Sequence, residues 1–204
     1  MNDEPQPAPT RLSLAWSSVL CLLLLMACDE TLPEPGVVAP ESPVQERLDD
    51  PRIDSMGDYL IEALASLSLD ARVLGKERYR TGREADLSPY DLALGWGRMS
   101  DSSVYGKLDF DQYGRWYHFR WGAEGPPIPK EEIARSSANM HIIPATDEIR
   151  DRLGDIERHD VVRLEGYLVA VRAPDGWRWR SSLSRSDTGA RSCEVFVVTT
   201  VRTQ

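Results

Sequence analysis

Residues 161–203 read VVRLEGYLVAVR, APDG, WRWRSSLSR, SDTGARS and CEVFVVTTVRT, and this stretch decides the fold. The first run is rich in β-branched residues and suits a strand. Ala173-Pro174-Asp175-Gly176 then turns the chain, because proline presets φ and glycine accepts a positive one. WRWRSSLSR returns, Ser186-Asp187-Thr188-Gly189 turns again, and CEVFVVTTVR makes a last strand. Three strands joined by tight turns predict an antiparallel meander. The last strand is apolar on both faces at Val195, Phe196, Val197 and Val198, which places it in the middle of the fold.

Upstream, Leu67, Leu69, Ala71 and Val73 alternate with Ser66, Ser68, Asp70 and Arg72, the two-residue period of a half-buried strand. The preceding YLIEALA suits either a short helix or the start of that strand. Ser88-Pro89-Tyr90-Asp91 carries a hydroxyl cap, a proline at the first helical position and an acid, so DLALGWG is expected as a short helix ended by Gly95 and Gly97. KLDFDQYGRWYHFRW reads as a strand pair turning near Gly114. Thr146 caps a second helix, DEIRDRLGDI. The sum is an α+β domain: a small antiparallel β-barrel or bent sheet, of the OB or SH3-like kind, with two short helices.

The N-terminus carries an address. Residues 12–27, LSLAWSSVLCLLLLMA, are uncharged and too short for a membrane span, which needs roughly 20 apolar residues. They suit the apolar core of a signal peptide. The run ends in Leu25-Met26-Ala27-Cys28, which resembles the lipobox of bacterial lipoproteins. The resemblance implies cleavage before Cys28 and acyl chains on its thiol and amine, enough for stable anchoring. Asp29 behind the cysteine resembles the signal that retains lipoproteins at the periplasmic face of the inner membrane. Residues 28–52, with five prolines and seven acids, read as an extended tether. The folded domain is then 53–204.

Three stretches, SPYDLALGWGRMSD at 88–101, SSANMHIIPA at 136–145 and SSLSRSDTGARSCE at 181–194, resemble a family of uncharacterised bacterial proteins. That resemblance covers residues 57–200. It implies one compact domain and carries no activity.

The formal charge is −9, and removing 1–27 takes away Asp3, Glu4 and Arg11 to leave −8. This argues against nucleic acid, which needs a basic surface. Chemistry can rest on few residues. His141 and Cys193 could form a base and nucleophile, with Ser137 as a second nucleophile and Asn139 orienting a ring. Arg185 and Arg191 lie near Cys193 in sequence and favour a thiolate. The bland reading makes SSANMHIIP a packed loop and Cys193 a buried strand residue. His118, His141 and His159 lack ligand spacing, so neither metal nor other cofactor is expected. Trp116, Trp177 and Trp179, with Arg185 and Asp187, suit a glycan or a protein partner, since indoles stack on sugar rings. The leading expectation is therefore an envelope lipoprotein that binds a protein or glycan. An envelope hydrolase with a His141 and Cys193 pair comes second, and an OB-type oligonucleotide-binding module third.

Overall fold

A computed structural model of the chain describes residues 31–184 and 193–204. The stretch expected to be a signal peptide (1–27), Cys28, Asp29, Arg185 and Asp187 lie outside the described residues. One structural unit spans Leu32–Gln204. Its elements, in order, are β1 (Val44–Arg47), β2 (Ile53–Met56), β3 (Tyr59–Arg78), α1 (Arg83–Leu87), β4 (Tyr90–Gly95), a 3-10 turn (Gly97–Ser100), α2 (Ser102–Tyr105), β5 (Leu108–Tyr113), β6 (Trp116–Trp121), α3 (Lys130–Arg135), β7 (Ser137–Pro144), α4 (Asp147–Asp155), β8 (Val161–Arg172), β9 (Arg178–Arg180) and β10 (Glu194–Thr203). Among the described residues the fold is mostly sheet with four short helices. No helix among the described residues is long and apolar enough to cross a membrane.

Five strands close on themselves. β3 pairs with β4, β4 with β7, β7 with β10, β10 with β8, and β8 with β3. Every pairing is antiparallel except β7 with β10. The twenty residues of β3 serve two neighbours: Leu60–Arg72 faces β8 and Arg72–Arg78 faces β4. Register shifts at Ala63/Ala65 and Val73/Gly75 insert extra residues. Such bulges bend a strand and let it turn the corner of a closed sheet. The alternation read at Leu67–Val73 belongs to this strand, and YLIEALA is its beginning. Leu67 and Leu69 of β3, Leu92 and Leu94 of β4, Met140 and Ile142 of β7, Leu164 of β8 and Phe196 of β10 fill one shared core. Helix α4, capped by Thr146 Oγ1 accepting from the Ile149 amide at 3.2 Å, adds Ile149 and Leu153 to it.

The structure corrects four expectations. DLALGWG is not a helix: Tyr90–Gly95 is strand β4, buried at all six positions and paired on both sides. A six-residue apolar run does not distinguish the two states, and pairing to β3 and β7 outweighs the local helix-start signal. SSANMHIIP is strand β7, not a loop. The last three strands are not a simple meander, because β8 separates β9 from β10 and the latter pairs in parallel with β7. Finally, part of the stretch read as a tether belongs to the domain. β1 pairs with β3, and Ala39 is fully buried. The Gly36 amide donates to Asp101 Oδ1 at 3.0 Å, and those of Val38 and Ala39 donate to Ser100 Oγ. These are backbone contacts, so acidic, proline-rich composition does not forbid them.

Residues 96–136 form an insertion between β4 and β7. Its hairpin, β5 with β6, packs Phe110, Tyr117 and Phe119 against Leu74, Ala93 and Tyr105. The turn is Gly114-Arg115, with φ of 58° and 70°. A two-residue turn with both φ positive matches the twist of its strands. Arginine rarely adopts that conformation, so something must hold it there.

Candidate functional site

Asp91 is that something. It lies on the face of β4 turned away from the shared core, and it is fully buried. A buried carboxylate is costly unless paired and hydrogen-bonded. Arg115 Nη1 reaches Asp91 Oδ1 at 2.6 Å. The same guanidinium donates to the Ser88 carbonyl at 2.8 Å and to Ser88 Oγ at 3.3 Å, and it stacks 3.9 Å above the Tyr79 ring. The Arg115 amide donates to Tyr79 Oη at 3.0 Å. Burial is the main influence on the Tyr79 phenol and pushes its pKa up. The strained turn is thus fixed at side chain and backbone together.

Strand register brings the rest. Asp91 stands opposite His141 across the β4–β7 pair. Facing residues on adjacent antiparallel strands have Cβ atoms roughly 5 Å apart. His141 is 3 % exposed, and its Nδ1 lies 3.0 Å from Asp91 Oδ1. The approach is out of line for a hydrogen bond, and Nδ1 has no other partner among the described residues. Asn139, two residues earlier on the same face, donates to Asp91 Oδ2 at 3.3 Å and accepts from Gln112 Nε2 at 2.7 Å. Asp91 is therefore shared among a fixed cation, an amide and an imidazole.

This network underlies a cleft of about 550 Å³. One wall is Arg115 and Trp116 from the β5–β6 hairpin; the other is Arg178, Trp179 and Arg180 from β9. His141, Ser181 and Cys193 complete the lining. Trp179 packs over the imidazole, with ring centroids 5.0 Å apart. Arg178 and Arg180 are exposed, and neither has an ion pair or hydrogen-bond partner among the described residues. Elsewhere arginines are mostly engaged: Arg83 with Asp175, Arg98 with Glu132, Arg163 with Asp70 and Glu165, Arg172 with Glu62. Two uncommitted guanidiniums beside two indoles, in an acidic protein, suit an anionic ligand with a ring.

Of the residues singled out from the sequence, His141, Cys193, Trp116 and Trp179 meet in this cleft, and Asn139 belongs to the network beneath it. Trp177 does not line it. That indole packs at 6.1 Å from both Tyr59 and Trp179, with Arg83 over its face. Ser137 is turned elsewhere, donating to the Ile133 carbonyl at 2.7 Å. His118 stacks on Tyr113, and His159 sits 3.0 Å from Tyr105 Oη, both in other parts of the fold. Asp91 and Arg115 do not stand out in the sequence, whereas Arg178 and Arg180 belong to its aromatic-basic stretch WRWR. In the sequence Asp91 reads as a helix-start acid, and only strand pairing reveals that it faces a histidine fifty residues away.

A larger groove, about 740 Å³, runs over β2, β3 and β8. Its floor is apolar, with Ile61, Ala63, Val169 and Val197. Arg52 at its rim already donates to Tyr167 Oη at 2.9 Å, so it offers no uncommitted cation to a ligand.

No family model matches the chain, and neither a curated protein nor a solved structure is significantly similar to it.

Proposed function

We propose that this protein is a bacterial envelope lipoprotein, held to the membrane by acyl chains on Cys28, whose domain binds an acidic glycan in the cleft between the β5–β6 hairpin and β9. The observation that carries this reading is the pair Arg178 and Arg180, uncommitted beside Trp116 and Trp179. Guanidinium forks recognise carboxylate and phosphate, while indole faces stack on sugar rings. The ring order β3-β4-β7-β10-β8 supports reading the closed sheet as a barrel of the OB type. Such barrels bind oligosaccharides and oligonucleotides across their second and third strands, here β4 and β7.

An oligonucleotide fits less well. Binding a nucleic-acid strand needs a track of cations along many phosphates, and the net charge is −9. The test is tryptophan fluorescence on the full chain in detergent. Muramic-acid-containing glycan fragments should quench it, neutral chitin oligomers should do so at least about tenfold more weakly, and Arg178→Gln with Arg180→Gln should abolish the difference. Equal response to acidic and neutral sugars would defeat the reading. A stronger response to oligothymidine would favour the oligonucleotide alternative. For the anchor, Cys28→Ser should end incorporation of radiolabelled palmitate, with retention of the label counting against it.

A further inference from the structure

The cleft holds more than binding requires. An imidazole 3 % exposed lines it with no aligned partner at Nδ1, and behind it stands a fully buried carboxylate. Burying a histidine against an aspartate is expensive unless the imidazole has a task or the pair is needed for folding. Asp91 is already paired with Arg115 and accepts a hydrogen bond from Asn139.

Cys193 lines the same cleft, half-buried, and forms no disulfide among the described residues. Val195 of β10 stands opposite His141 in the parallel β7–β10 pair, and Cys193 immediately precedes that strand. It lines the cleft together with His141, against which Asp91 stands in the β4–β7 pair. The cleft thus brings a thiol and an imidazole to one lining, with a carboxylate behind the imidazole. The charged and titratable groups around the imidazole are Asp91 from β4, Arg115 from the hairpin turn, Arg178 and Arg180 from β9, and the thiol itself.

We infer that Cys193 is a nucleophile, activated by His141 with Asp91 behind it, that accepts acyl groups from esters carrying a nearby negative charge. His141 takes the thiol proton, and the Cys193 sulfur attacks the ester carbonyl. The carbon–oxygen bond breaks, and the alcohol leaves with the proton returned by the imidazole. Water then attacks the thioester, His141 takes its proton and gives it back to the sulfur, and a carboxylic acid departs. Arg178 and Arg180 hold the anionic part of the substrate. This goes beyond glycan binding, which needs neither Cys193 nor His141.

The experiment uses the full chain in detergent, alkylated with iodoacetamide and mapped by peptide mass so that Cys21 and Cys28 do not interfere. At pH 6, native Cys193 should react at least about tenfold faster than the urea-unfolded chain, and His141→Gln should remove that excess. The native chain should also acquire an acyl mass on Cys193 from mono-p-nitrophenyl adipate faster than from p-nitrophenyl acetate. A native thiol that reacts no faster than the unfolded one, or keeps its rate in His141→Gln, overturns the inference. If His141→Gln does not fold, the native pH profile and the mass on Cys193 decide alone. Equal acylation by the two esters overturns the assignment of Arg178 and Arg180.

Discussion

Truncating Arg115 to methionine would leave the Asp91 carboxylate buried beside His141 without a permanent cation. Removing one partner of a buried pair leaves an uncompensated charge, so Arg115→Met should cost about 3 kcal/mol in urea unfolding. Exchanging both partners for apolar residues is often neutral. Arg115→Met with Asp91→Leu should therefore recover most of the loss, and a double mutant as unstable as the single would show that the turn matters more than the charge. At Asp101, hydrogen bonds from Ser103 Oγ and then the Ser103 amide hold the carboxyl below its usual range, against a smaller opposing effect of burial, and the Gly36 amide adds to them. A lowered folded value means that the folded state binds fewer protons. The stabilisation is thus complete above the unfolded carboxyl value near 4 and is lost as pH falls through the folded one. Asp101→Ala should cost about 1 kcal/mol at pH 7, the ordinary worth of a helix cap. The difference from wild type should shrink in unfolding curves taken towards pH 3.

Gly166 leaves no room for a side chain. A Cβ there would stand 1.9 Å from the Val197 carbonyl oxygen, where β8 pairs with β10 beside a register shift. Backbone cannot yield as a side chain tip can, so Gly166→Ala should lose about 3 kcal/mol. Gly122→Ala, with nothing within 4 Å, should stay within about 0.5 kcal/mol in the same thermal scans. Elements were legible where local pattern and tertiary demand agree. The alternation at Leu67–Val73, the Ala173–Gly176 turn, the Thr146 cap and the doubly apolar Val195–Val198 all fall where expected. They failed to be legible where a distant partner decides. Tyr90–Gly95 is a strand because β3 and β7 flank it, and Ser88-Pro89 mimics a helix start. The site divides the same way. His141, Cys193 and the tryptophans stand out by residue type, whereas Asp91 and Arg115 look like ordinary surface charges until register and a strained turn bring them together.

At the scale of the molecule, the N-terminal stretch is structural. Starting the chain at Ile53 removes β1, the buried Ala39 and the partners of Ser100 and Asp101. Such a chain should be less stable by about 2 kcal/mol, or roughly 4–8 °C in melting temperature for a domain of this size. An unchanged melting point would restore the view of this stretch as a mere spacer. The pairing of β3 with β8 has a different consequence, in time rather than energy. Leu60 pairs with Arg172 and Arg72 with Val161, contacts between stretches made far apart during synthesis. At 5–20 residues per second, β8 follows β3 from the ribosome by roughly 5–20 s. For that interval Leu67, Leu69 and Val73 have no β8 to lie against. Contacts of such long range also slow refolding to milliseconds or longer. The nascent chain therefore spends several seconds as an open, apolar ribbon, the form that chaperones and export machinery recognise.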